Sequence, residues 1–323
     1  MYTFKRILNP EIFQGKHKKN NYFEGWYYKL TDSSAQNVIA IIPGVAKSKN
    51  EEHAFIQFID AKTGVSRYIN FPFTDFVYSE RIFDIRIGES SFTKYSMSLN
   101  IKTEDFYLRG NITLTDILSY PKSIYNPGIM GPFTFVPFME CYHGIVNIHC
   151  RLRGSFDYNG KLIDFTGGYG YVEKDWGKSF PHSWIWLQSN NFTKGDTSFM
   201  FSVASIPWLH REFDGLISFL KLKDTFLRFA TYTGAKIVDL KADENKLIVT
   251  LKDSKYFLYI QCEYAEGGLL KAPKKGLMEV DITESITSKV GIQLTDKSGR
   301  LIYEDIGSNT GLELVGEYKK FEL

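Results

Sequence analysis

The sequence predicts an all-β protein built as two antiparallel β-barrels in tandem, with little helix. Three observations lead there. Aromatic residues make up 16% of the chain, from 26 Phe, 20 Tyr and 5 Trp, and such residues favour strands. Short apolar or alternating runs recur along the chain, separated by Gly, Asn, Asp and Pro, while long helical periodicity is scarce. The 323 residues also exceed the roughly 250–300 that one core organises. Two domains follow as the expectation, 1–177 and 178–323.

Residues 1–21 read as an irregular or partly helical lead-in. Tyr22–Leu30 is a strand by its rings, with Glu24, Trp26 and Tyr28 on one face and Phe23, Tyr27 and Lys29 on the other. Val38–Ile42 follows, ended by Pro43-Gly44. His53–Ile59 is closed by the turn Asp60–Gly64. Strands are expected at Ser66–Phe71, Ile82–Ile87, Ser91–Thr93, Ser96–Lys102 and Phe106–Thr115. Between Tyr120 and His143 lie four of the ten prolines. Proline removes a ladder donor, so this stretch is a long loop, either a lid over a ligand or a plug in a barrel end. Gly144–Tyr158 alternates, Asn159-Gly160 is a hairpin turn, and Lys161–Thr166 is the return strand.

Tyr169–Trp176 and Trp184–Gln188 flank Gly177–Ser183 and form the densest patch of rings, glycines and charges in the chain. In the second half, strands are expected at Thr197–Ser205, Gly215–Leu222, Phe226–Tyr232, Lys236–Ala242, Lys246–Lys252 and Tyr256–Glu263. Ile206–Phe213 is at most a short helix, and Ala265–Met278 is a second loop. Glu279–Ser285, Val290–Thr295, Leu301–Ile306 and Leu312–Tyr318 complete the list. A weak repeat supports the two-barrel reading: Glu24–Lys29 opens one series of strands and Ser183–Gln188 opens another. A Trp-bearing first strand is how lipocalin-like barrels begin.

Composition excludes several classes. A net charge of +2 gives no ground for nucleic-acid binding. The run Lys16-His17-Lys18-Lys19 is a local basic patch, read first as a solvated loop and second as a contact for anionic lipid. Three cysteines without paired spacing provide neither a disulfide framework nor a zinc knuckle. No P-loop, dinucleotide fingerprint, zincin spacing or nucleophile elbow is present, so neither cofactor nor metal is expected. No apolar run reaches the roughly 20 residues of a membrane span. The expectation is a cytoplasmic protein, membrane-peripheral at most.

What remains is a set of acids beside aromatics. Alternation puts Tyr169, Tyr171, Glu173 and Asp175 on one face, and Gly170, Val172, Lys174 and Trp176 on the other. Either Glu173 or Lys174 points inward, but not both. An inward glutamate among rings has its pKa raised by desolvation and serves as a general acid; its alternative is a salt bridge. Glu24 has the same two readings. Trp184, Trp186 and Gln188 share a face, where the rings either stabilise a cation or fill a core. His143 is a candidate proton carrier.

These residues resemble a known family. Phe23–Lys29, Gly131-Pro132-Phe133 through Met139–Gly144, Glu173–Gly177 with Phe180-Pro181 and Trp184–Gln188, and Gly311-Leu312-Glu313 together are similar to the tocopherol cyclase family. The resemblance implies two calycin-like barrels and no redox cofactor. In plant and cyanobacterial members it implies protonation of a prenyl double bond, followed by phenol attack on the tertiary cation. Related two-barrel folds include carotenoid hydratases and pericyclase-type enzymes. The chain shows no pattern specific to a quinol head group, so the substrate is not carried over.

The expectation is therefore acid-catalysed cyclisation, hydration or isomerisation of a long apolar substrate, an isoprenoid, prenylquinol or other lipid. Glu173 is the proton donor, with Glu24 second and His143 near the polar end. Trp26, Tyr28, Trp176, Trp184, Trp186, Gln188 and Phe135 contact the ligand. The rival readings are a non-catalytic carrier and an interaction scaffold.

Overall fold

A computed structural model describes residues 6–208 and 211–323. It is all-β, with two large antiparallel sheets of lipocalin-like build and five short 3-10 turns among the described residues. The first sheet holds β1 (Tyr22–Thr31), β2 (Val38–Lys47), β3 (Glu52–Asp60), β4 (Ser66–Pro72), β5 (Phe76–Tyr78), β6 (Asp84–Ile87), β7 (Ser90–Thr93), β8 (Ser96–Lys102), β9 (Tyr107–Ser119), β10 (Cys141–Tyr158), β11 (Lys161–Asp164) and β12 (Tyr169–Gly177). The second holds β13 (Trp184–Ser189), β14 (Asn191–Phe192), β15 (Thr197–Trp208), β16 (Arg211–Leu222), β17 (Thr225–Arg228), β18 (Lys236–Ala242), β19 (Lys246–Lys252), β20 (Tyr256–Glu263), β21 (Gly268–Lys274), β22 (Leu277–Asp296) and β23 (Leu301–Val315).

In each sheet the first strand pairs with the last, β1 with β12 and β13 with β23. That pairing places the two members of the weak repeat, Glu24–Lys29 and Ser183–Gln188, at equivalent positions. The chain divides into two compact units. One runs to Phe180 and includes Leu270–Asp281; the other is Pro181–Leu269 with Ile282–Leu323.

Each unit has its own core, made by one face of its strands. In the first, Trp26, Tyr28, Ile41, Ile56, Phe58, Leu108 and Val172 point inward. In the second, Ile185, Leu187, Phe199, Phe201, Leu220 and Ile260 do so. The prolyl loop between β9 and β10 is irregular apart from one 3-10 turn, Gly131–Phe135.

Several local expectations are corrected. Pro43-Gly44 do not end β2: the register runs through Pro43↔Ile56 and Gly44↔Phe55. The missing N–H of proline costs one rung, and the rungs on either side hold the alignment. Ile206–Phe213 is not helical where it is described, since Ile206–Trp208 and Arg211–Phe213 pair as strand ends; Leu209 and His210 lie outside the described residues. Of the expected loop Ala265–Met278, residues Gly268–Lys274 form β21. The expected strands Glu279–Ser285 and Val290–Thr295 are parts of the long strand β22, and Leu301–Ile306 and Leu312–Val315 are parts of β23; Tyr318, expected to end the last strand, instead opens the 3-10 turn Tyr318–Phe321. Register shifts from Ser285 to Val290 mark the irregularity that made β22 look like two.

Phe58 tests the first core. It is fully buried, with Phe106 and Tyr158 at 5.1 and 5.2 Å between ring centroids. Phe58→Ala is expected to cost about 3–5 kcal/mol in denaturant unfolding, whereas Val77→Ala, at an exposed position, should change stability by less than about 0.5 kcal/mol.

Candidate functional site

The antiparallel register of β1 and β12 sets Trp26 opposite Lys174, and Tyr27 opposite Glu173. Side chains alternate across a strand, so the two neighbouring charges of β12 go to opposite faces. Lys174 takes the core side, with Glu24, Trp26, Tyr28 and Trp176. Glu173 takes the other.

Lys174 is fully buried. Its Nζ lies 2.5 Å from Glu24 Oε1 and donates to the carbonyls of Pro10 and Ile12, both at 2.7 Å. The rings of Trp26 and Trp176 stand 4.7 and 4.8 Å from it. Glu24 accepts from the N–H groups of Gln14 (2.9 and 3.0 Å) and Gly15 (3.0 Å), and from the hydroxyl of Tyr22. A buried charge is tolerated only when paired and hydrogen-bonded, and both conditions hold here. Burial pulls the Lys174 ammonium down to about 8, with the Glu24 carboxylate opposing. Burial first, and then the Glu24 charge, raise the Tyr22 phenol well above its usual range.

This geometry gives Glu24 the part of a counter-ion, the salt-bridge reading: an ammonium and three N–H or O–H donors surround its carboxylate. Trp26 and Trp176 flank that ammonium and stack on Phe83 and Tyr142. Tyr28 donates to Thr93 O at 2.8 Å. The three rings belong to a filled core.

On the opposite face, β10 and β12 bring together residues from two parts of the chain. His143 is in register with Asp175, and Ile145 with Glu173. The His143 Nδ1–H donates to Asp175 Oδ1 at 2.8 Å, the only polarity open to it because an ionised carboxylate only accepts. The other ring nitrogen, Nε2, therefore faces Glu173 Oε2 at 3.6 Å. Tyr171 donates to that same oxygen at 2.6 Å. Tyr171 is fully buried, and burial followed by the Glu173 charge raises its phenol well above the usual range. It stays a donor at every physiological pH. Glu173 is buried, with His143 and Asp175 partly so. The backbone N–H of His143 also reaches Met130 Sδ, at 3.2 Å, which ties the prolyl loop to this group.

One His and two carboxylates within 4.8 Å of one another form a set that also suits a cation, although the histidine spacing offers no metal motif. Two features favour protons. Nδ1 is engaged by Asp175, and only Nε2 and one carboxylate then face each other, short of the usual three protein ligands of a catalytic zinc. A row running Tyr171, Glu173, His143, Asp175 can hold one proton between Nε2 and Oε2 and steady it from both ends.

The second unit carries Trp184, Trp186 and Gln188 on the face of β13 opposite its core residues Ile185 and Leu187, and all three are buried. Trp184 Nε1 donates to Glu313 Oε2 at 2.5 Å. Glu284, fully buried, is in register with Glu313. Phe135 is 41% exposed in its 3-10 turn. A depression of about 280 Å³ in this unit is lined by Val203, Leu216, Ile237 and Phe321, and by none of the expected site residues. The structure thus brings Glu173 and His143 together and separates both from Glu24. Sequence reasoning left Tyr171, Asp175, Lys174 and Glu284 out of the site. The spacing Tyr171-x-Glu173-x-Asp175 was the available signal.

The family described as Tocopherol cyclase-like matches residues 98–316, more than half of the chain. A protein of Oryza sativa subsp. japonica named "Probable tocopherol cyclase, chloroplastic" is 27% identical over 107 residues, 33% of this chain and 22% of that protein. The chloroplastic tocopherol cyclase of Zea mays is 34% identical over 56 residues, 17% of this chain and 12% of its own. The chain thus matches less than a quarter of the length of these curated relatives. Among solved structures, CghA with Sch210972 superposes with a TM-score of 0.56 at 8% identity, covering 91% of this chain and 89% of that one. Kievitone hydratase from Nectria haematococca gives 0.51 at 10%, covering 96% and 94%. At these identities the likeness is one of fold.

The buried pair makes a double prediction. Lys174→Met is expected to cost about 3–5 kcal/mol by stranding Glu24, and Lys174→Met/Glu24→Gln to recover part of that in chemical unfolding. The pH dependence follows from the lowered Lys174 value of about 8. Between about 8 and the unfolded value of about 10.4, the unfolded chain binds more protons at this residue. Its contribution to stability therefore grows as pH rises through that window and is lost as pH falls to about 8. The stability difference between wild type and the double variant, measured across pH 7–11, should slope upward.

Proposed function

Because the chain belongs to the tocopherol cyclase-like family, we propose that it is an acid catalyst that protonates a carbon–carbon double bond in a long apolar substrate and lets an oxygen nucleophile capture the cation. The observation that carries this reading is the row Tyr171, Glu173, His143, Asp175, buried or partly buried on the face of β12 away from the core.

The step balances without oxidation or reduction. A proton held between Glu173 Oε2 and His143 Nε2 passes to the less substituted alkene carbon, leaving the pair one proton short and the other carbon cationic. A hydroxyl of the substrate attacks that carbon and closes a ring, or water attacks and hydrates it. The attacking oxygen then gives its proton back to the pair. Asp175 fixes the His143 tautomer so that Nε2 faces Glu173. Tyr171 holds Glu173 in place. The substrate class we propose is a prenylated phenol or quinol, or a comparable isoprenoid. Within the second unit Trp184, Trp186 and Gln188, and within the first Phe135, are proposed to contact apolar ligand, each tested separately by the loss of binding on its substitution.

Assay with prenylated hydroquinols, following ring closure or water addition by mass spectrometry, tests the assignment. Glu173→Gln and His143→Ala should each lower turnover by about 100-fold or more, while ligand affinity changes only a few-fold. Asp175→Asn should lower turnover and move the pH profile. Undiminished turnover in Glu173→Gln would sink the assignment. A tightly held, chemically unaltered lipid co-purifying with wild type, with no turnover of any prenyl substrate, would favour the carrier.

A further inference from the structure

Four segments far apart in sequence meet at one end of the first unit, where β1 begins and β12 stops. Tyr22 opens β1 opposite Lys47, the last residue of β2, and Lys47 Nζ donates to Lys18 O at 3.2 Å. The turn between β21 and β22 is wedged against them. A Cβ on Gly276 would fall 2.1 Å from Lys47 O and 2.5 Å from Tyr22 N, so only glycine admits this approach. The Gly276 N–H donates to Lys178 O at 2.9 Å, and the Lys275 N–H donates to Ser179 Oγ at 2.8 Å.

This packing gathers six exposed lysines: 18, 19, 49, 178, 274 and 275. Among the described residues, none of the six forms an ion pair within 4 Å. Lys16 is balanced by Glu80. The acids close by in these segments are fewer: exposed Glu51, Glu52 and Glu279 and half-buried Glu140. Beside the lysines stands Phe138, 89% exposed and in the left-handed region at φ 64°. It lies two residues before Glu140, whose carbonyl accepts from the Lys178 N–H at 2.7 Å. A bulky residue in that region costs free energy, and here the conformation holds an apolar ring in water.

We infer that this end of the first unit docks on an anionic phospholipid bilayer, with the lysines at the head groups and Phe138 in the interface. Two observations select a bilayer over a nucleic acid. The cluster is all lysine, compact point charges suited to a diffuse surface potential, where arginine is the residue that grips single phosphates. A single protruding ring suits the boundary between head groups and acyl chains. The inference stands independently of the catalytic reading.

Sedimentation of the full chain with phosphatidylcholine vesicles, with and without phosphatidylserine, tests it. Binding is expected only with phosphatidylserine and should weaken as salt rises. At about fivefold per lysine, Lys274→Ala/Lys275→Ala should weaken binding about 25-fold. Phe138→Ser should weaken it several-fold, with circular dichroism unchanged, and Lys236→Ala, in the second unit, should bind as wild type. Equal binding to both vesicles, wild-type affinity in the double lysine variant, or binding to duplex DNA without binding to vesicles would each overturn the inference.

Discussion

The first unit depends on one ammonium group. Lys174 has no solvent, so each of its donors must find an oxygen, and it finds Glu24 Oε1 and the carbonyls of Pro10 and Ile12. Glu24 in turn satisfies the N–H groups of Gln14 and Gly15. The segment before β1 is thereby closed over the core by charge and not by strand pairing. A buried pair is weak as a source of net stability but severe when broken, so it acts as a device of specificity. It fixes which way β12 faces, and with that it fixes where Glu173 points.

The motif Glu173-Lys174-Asp175-Trp176 therefore divides its work by parity. Its even positions build the core and its odd positions build the row proposed to handle protons. Neither half can be altered freely without affecting the other, because a slip of one residue would exchange the faces. Read this way, the run of charges and rings marks a strand whose two faces are both buried, with a different chemistry on each.

Much of the fold was legible in the sequence. Ser96–Lys102, Lys236–Ala242, Lys246–Lys252 and Tyr256–Glu263 are strands with the expected bounds, because alternation ends there at clear turn residues. The three-residue β5 was too short to show a period. β21 was hidden because Gly268 and Pro273 look like loop residues, although an edge position tolerates them. Of the site, the odd-position pattern on β12 was visible. Its pairing with His143 was not, since register between β10 and β12 is a tertiary fact interrupted by bulges. The partner of Lys174 was hidden for the same reason: nothing local in β12 names a carboxylate on β1.

The hairpin excursion Leu270–Asp281 has a consequence for the order in which the molecule can be made. The Gln57 side chain exchanges two hydrogen bonds with the backbone of Lys271, 214 residues later. During synthesis, β1 through β12 emerge first and can pair among themselves, yet the first unit lacks its last pieces until most of the second has left the ribosome. Contacts of such long separation are slow to form, and an incomplete unit exposes strand edges meanwhile. A chain truncated after Phe180 would lack Leu270–Asp281 and is thus not the complete first unit.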